Sequence, residues 1–135
     1  MALTYEQAHK ALSAGIEKAT AIGSPSSITV VDGGRELIAF ARQDGALLAS
    51  IEISSGKAYT ACSMKMATKD IGPLTQPGAP LFGLENTHQR PLISFGGGRP
   101  IEAGGEVVGA VGVAGGSTDQ DDEIAAAAAA AAVGS

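Results

Sequence analysis

"EVVGAVGVAGGSTDQDDEIAAAAAAAA", residues 106–132, decides how the chain is layered. Val107, Val108, Val111 and Val113 make its first part β-prone, so Glu106 to Gly115 reads as a strand. Gly115 and Gly116 break it. Ser117 and Gln120 then have the S-x-x-Q spacing of a capping box, in which each end group satisfies the other's backbone N–H. Asp119, Asp121, Asp122 and Glu123 suit the positive end of a helix dipole. The alanines that follow favour helix and carry almost no side chain, so this helix can lie very close to a sheet or to a neighbouring subunit. Gly109 and Gly112 leave one face of the strand flat. That suits close packing by a helix or a ligand face.

Working outward, Gly104-Gly105 turns the chain back to "RPIEA" (99–103), and "PLISF" (91–95) reads as a further strand. Between them, "SFGGGRPI" (94–101) is either a wide connection between strands or a pocket-shaping loop, whose backbone N–H groups could form an anion nest. Pro100 holds Arg99 extended. "SITVVDGGRELIAFARQDG" (27–45) reads as a hairpin, with turn residues Asp32-Gly33-Gly34 between Ile28–Val31 and Leu37–Ala41.

"LTYEQAHKALSAGIEKATAIG" (3–23) reads as a first helix, with Thr4 and Gln7 as its capping box. Leu3, Ala8, Leu12, Ile16 and Ala19 form its apolar face, and Gly23 and Pro25 end it. "ALLASIEISSGKAYTACSMKMATK" (46–69) reads as a second, longer helix with an inward stripe of Leu48, Ile51, Ser55, Ala58, Cys62 and Met66. Gly56 costs such a helix about 1 kcal/mol relative to Ala, which points to close packing, a ligand or a break. Residues 70–90 form the longest irregular segment, and loops of that length are usually functional or mobile. The order α-β-β-α-loop-β-β-β-α predicts an α+β sandwich. One five-stranded antiparallel sheet is flanked by helices, in a single domain over residues 1–135.

Composition narrows the function. The 135 residues are 44% apolar and 17% charged, with net charge −5. Without a basic run, a phosphate backbone is repelled, and without Trp there is little to stack bases on. The longest apolar run, Ile124 to Val133, falls short of the roughly 20 residues a membrane span needs. The N-terminus has no apolar signal core. The expectation is a cytoplasmic protein with no nucleic-acid or membrane partner. Cys62 is the single cysteine, so it forms no internal disulfide and is either a small core residue or a reactive thiol.

Several chemistries fall away on spacing. Gly112, Gly115 and Gly116 miss the dinucleotide fingerprint, and no G-K-[ST] makes a P-loop. Ser54-Ser55-Gly56 lacks the strand-to-helix elbow of a serine hydrolase. His9 and His88 are the only histidines and have no partner at metal-ligand spacing, so no structural metal site is expected. Asp32 and Asp44 suit turns. Lys57, amid small residues and one helical turn from Thr60, is the better candidate for an anionic ligand, while Lys65 and Lys69 suit a solvated face.

Taken in order, "TVVDGGRELIAFARQDGA" (29–46), "SSGKAYTA" (54–61) and "GGGRPIEAGGEVVGAVGVAGGSTDQDDEIA" (96–125) resemble the GlcG/HbpS-like family. This is the haem-degrading domain family, which includes the C-terminal domain of PduO-type adenosyltransferases. The resemblance covers about residues 3–132, with Ala114 where the family usually has serine. It implies a profilin-like α-β-α sandwich and homo-oligomers built from dimers, often octamers. It also implies a haem or small-ligand pocket between subunits, with His9 and Thr60 the nearest matches to groups that approach iron. The leading expectation is a homo-oligomeric small-ligand protein. Haem would be its ligand, with iron on His9 or a hydroxyl such as Thr60, and propionates on Lys57 or Arg90. The alternative is a cofactor-free enzyme of isomerase or lyase type acting on a small anionic or aromatic metabolite. There Lys57 and Arg90 would hold the anion, and His88 or Asp44 would move a proton. A third reading is a non-catalytic accessory oligomer.

Overall fold

The computed structural model of the chain describes residues 2–134. Helix α1 spans Tyr5–Ala21, strands β1 and β2 span Ser27–Asp32 and Leu37–Arg42, and α2 spans Ser50–Met64. A short α3 (Thr68–Ile71) leads into the long connection. Strands β3 (Gly98–Ala103) and β4 (Glu106–Ala114) then precede α4 (Thr118–Val133). The sheet is antiparallel, in the order β2-β1-β4-β3. Both capping boxes form as the spacing requires, Thr4 with Gln7 and Ser117 with Gln120.

The sheet has helices on both faces. Helices α1 and α4 cover one face with the main core, in which Ala8, Ala11, Ile28, Val30, Val111, Val113, Ile124 and Ala128 are buried. Gly15 is where α1 meets both neighbours, since a Cβ there would lie 2.9 Å from Ile28 Cδ1 and 3.4 Å from Ala128 Cβ. Helix α2 covers the other face, where Val31, Ala58, Ala61, Cys62 and Ala110 cluster. The smooth alanine helix therefore packs within the chain, on α1 and the sheet.

The sheet has four strands, not five. Residues 91–95 make no ladder because their donors go elsewhere. Pro91 has none, Leu92 N–H donates to Glu85 O (3.3 Å), and Ile93 N–H donates to Thr60 Oγ1 on α2 (2.8 Å). The second helix is also shorter than its sequence suggests. Lys65 adopts the left-handed conformation (φ 56°) and ends α2, so the expected stripe breaks before Met66. Leu48 lies outside the helix and is exposed. The buried face runs instead through Ser50, Ser54, Lys57, Ala58 and Ala61.

Candidate functional site

Helix α2 carries most of the candidate chemistry, and small residues bring it close to the sheet. Ser50 and Ser54 pair with Ser27 and Thr29 of β1 through buried hydroxyl contacts of 2.7 and 2.9 Å. On β4, Gly112 lies under the helix, where any Cβ would fall on Ser54 O. Gly109 points to the opposite face, against Leu3. The two strand glycines therefore serve two different packings rather than one flat face.

Lys57 extends from α2 into the interior and is 1% exposed. Its ammonium donates to Val113 O (2.8 Å) and to Asp121 Oδ2 (3.0 Å) on the first turn of α4. Asp121 Oδ1 accepts the Gly116 N–H (3.0 Å), and the Phe95 ring lies over the ammonium at 5.1 Å. Burial pushes the Lys57 ammonium below lysine's ordinary range, against the opposing pull of Asp121. Of the three glycines at 96–98, Gly97 passes directly over this pair, Gly98 lies on the Lys57 backbone and Gly96 lies on Thr118 O of α4. A Cβ on Gly97 (φ 127°) would sit 2.6 Å from Lys57 Nζ, and one on Gly98 would sit 2.6 Å from Lys57 O. The glycines are thus a close approach of backbone to a buried ion pair. Lys57 ties α2, β4 and α4 together and presents no free cation to an anion or a haem propionate.

Thr60 is likewise fully engaged. Its hydroxyl donates to Gly56 O (2.7 Å) and accepts from Ile93 N–H, inside the protein and away from any iron-binding position. A second ion pair ties strand β3 to α4. Arg99 clamps Asp122 with two 2.7 Å hydrogen bonds. Desolvation pushes the Asp122 carboxyl up, but the Arg99 hydrogen bonds and charge, with Lys69, outweigh it and hold it below its ordinary value. Cys62 is buried, its thiol donating to Asp32 O (3.4 Å), and desolvation raises it. It is a core residue.

Around Tyr59, which is itself buried, exposed cations gather. The Arg35 guanidinium lies 4.7 Å from the ring centroid and donates to the Tyr59 hydroxyl (3.1 Å) and to Ser63 (3.3 Å). The Arg90 guanidinium lies 4.6 Å from the same centroid and donates to Ser55 Oγ (2.8 Å). His88 meets the ring edge-on at 6.1 Å, with Nδ1 on Thr87 Oγ1 (2.9 Å). Among the described residues, no carboxylate comes within 4.0 Å of either arginine's nitrogens. The sequence marked His88 and Arg90 but not Arg35, Tyr59 or Ser55. The only local signal for Arg35 is its place in the β1–β2 turn, where it takes a positive φ of 69°.

His9 lies on the outer side of α1, exposed, with Tyr5 beside it at 5.9 Å between ring centroids. It lines an open cleft of about 470 Å³ with Lys10, Ser13, Ala14, Glu17 and Ala131 of α4. Asp44 borders a different cleft, of about 600 Å³, between the end of α1 and the end of β2. It stands at the open end of the β1–β2 hairpin, while Arg35 stands at the turn end, a strand length of about 20 Å away. Asp44 is therefore not brought to His88. Nor do His9 and Arg90 share a site, because α1 and α2 cover opposite faces of the sheet.

Comparison with known proteins agrees with this architecture. Residues 3–130 match the family model described as haem degrading protein HbpS-like. A 15.0 kDa protein from the dhaT-dhaS intergenic region of Citrobacter freundii is 42% identical over 118 residues, 87% of this chain and 83% of that protein. The corrinoid adenosyltransferase PduO of Salmonella typhimurium is 39% identical over 121 residues, 89% of this chain but only 36% of PduO. A crystal structure described as a PduOC:heme complex superposes with a TM-score of 0.92 at 37% identity, covering 97% of this chain and 95% of that one. With a four-stranded antiparallel sheet between α1/α4 and α2, and a match over nearly its whole length, the chain belongs to the HbpS-like family of haem-degrading proteins.

Proposed function

We propose that this protein is a homo-oligomeric haem-binding member of its family, with His9 as the iron ligand. The observation that carries the reading is the exposed His9 imidazole at the mouth of the α1–α4 cleft. That placement fits a haem. The donor is a neutral-capable imidazole of the type that ligates haem iron, and Ala14 and Ala131 offer small apolar surface beside it. Lys10 also lines the cleft, exposed and 3.9 Å from Glu6, and would be the cation to receive a propionate. Its relative, PduOC, forms a heme complex. Haem bound there would supply a redox-active iron, and this chain would hold it and limit water around it.

The cleft walls only one side of a planar ring, so a second copy is needed to cover the other. Apolar residues suited to association between copies are exposed elsewhere on the chain, outside the cleft lining. Leu37 and Phe40 lie on edge strand β2, and Leu47 and Leu48 lie before α2. Haemin titrated into the purified protein should give a saturable Soret shift, and His9→Ala should weaken or abolish it while the fold stays intact. An unchanged spectrum in His9→Ala would remove His9 as the ligand, and a flat titration of the wild type would remove haem.

A further inference from the structure

The geometry points to a second site, on the α2 face and separate from His9: a groove that binds a small apolar carboxylic acid with Arg90 as its anion clamp. The groove has a volume of about 440 Å³ and runs between α2 and residues 90–93. That is within the range of pockets that hold small molecules, roughly 300–1,000 Å³. Ile51, Pro91 and Ile93 make it largely apolar, and Gly56 lines it without a side chain to fill it. Ile93 is held in place because its N–H is bound by Thr60, so this wall is fixed by α2 itself.

One end of the groove is cationic. Arg90 lines it, oriented by Ser55 Oγ at 2.8 Å and by the face of Tyr59. Ser55 uses one N–H of a guanidinium that has five, which leaves donors for a carboxylate. Arg35 places a second positive charge on the same ring, and His88 stands at its edge. Two guanidinium groups gathered on one ring repel each other, and among the described residues no acidic side chain pairs with either. An arriving anion relieves that repulsion. Glu52, exposed on the groove's rim, disfavours ligands carrying several negative charges. An apolar body with one carboxylate matches all of these features, whereas inorganic phosphate matches only the cations.

The probe is benzoate, with benzamide as its uncharged isostere and inorganic phosphate as the anion without an apolar body, each titrated by calorimetry into the full chain. Benzoate should saturate at one per chain, with benzamide and phosphate each at least ten-fold weaker. Arg90→Met, at an exposed position that does not test the core, should cost about 10–100-fold in benzoate affinity, the loss expected for charged hydrogen bonds. Ser55→Ala should cost less, since it frees the guanidinium without removing it. His9→Ala should leave benzoate binding unchanged, so failure of the haem reading and failure of this one are told apart. Equal benzoate affinity in wild type and Arg90→Met would overturn the assignment. So would equal affinity for benzamide or phosphate, or no benzoate binding at millimolar concentration.

Discussion

At the scale of the residue, Lys57 is the most consequential side chain. A lysine and an aspartate, 1% and 2% exposed, lie in the interior with every polar atom of the pair engaged or adjacent to a partner. Removing one member strands the other's charge, which costs about 3–5 kcal/mol. Lys57→Met should therefore lower stability by about that amount in urea unfolding. Lys57→Met combined with Asp121→Leu should lose clearly less than the sum of the two single changes, because the stranded charge is gone. Strictly additive losses would mean the pair is not coupled. Sequence reading singled out Lys57, for its small neighbours, as the holder of an anionic ligand; the anion it holds in the structure is an internal carboxylate, Asp121. What the sequence could not supply was the partner, since Asp121 lies on the far side of the chain and reads locally as an ordinary first-turn acid. His9 falls outside the apolar face read for the first helix, and it is exposed, because helix periodicity fixes which side it faces. Arg35 and Tyr59 were not legible, because a turn and a helix meet there only through the fold.

At the scale of the element, α2 is unusual in packing on the sheet through hydroxyl pairs and a glycine rather than through large apolar side chains. Its tightest point is Gly112, opposed by Ser54 backbone that cannot move without moving the helix. Gly112→Ala should destabilise the protein by about 1–3 kcal/mol or more, the usual cost of overpacking. Gly56→Ala should cost far less. Its Cβ would meet only the Ile93 side chain (2.9 Å), and alanine gains about 1 kcal/mol of helix propensity. Thermal unfolding of the two variants side by side checks the ordering, and equal losses would refute it. Of the expected inward stripe, Ala58 and Cys62 are buried, but Leu48 is exposed and Ser55 is only half-buried. The rule looks for apolar residues facing in, whereas this helix faces in with serines and lysine, whose polar atoms are satisfied across the interface.

At the scale of the whole molecule, the feature that matters is exposed apolar surface. Leu47 and Leu48 are 65% and 74% exposed, and edge strand β2 carries Leu37 and Phe40 beyond the cover of α2. Surfaces of this kind mark association. In sedimentation, the wild type should exceed the mass of one chain, and Leu47→Asp with Leu48→Asp should shift it to smaller species without changing its circular dichroism. A wild-type protein that sediments as a single chain would remove the oligomer and, with it, the second wall of the haem cleft. Among the described residues, no helix is long and apolar enough to cross a membrane.

The sequence by itself determined the first and last helices with their caps, the two hairpins, the layering and the family, because capping boxes, turn glycines and β-branched runs act over a few residues. Only the tertiary structure decided the rest. It left "PLISF" out of the sheet by giving its N–H groups to α2 and the loop. It turned Lys57 from an expected anion holder into an internal pillar, and made the triple glycine the close backbone approach to it. It placed His9 and Arg90 on opposite faces. Each of these depends on which distant groups satisfy a buried charge or a backbone donor, and that pairing exists only once the layers have closed.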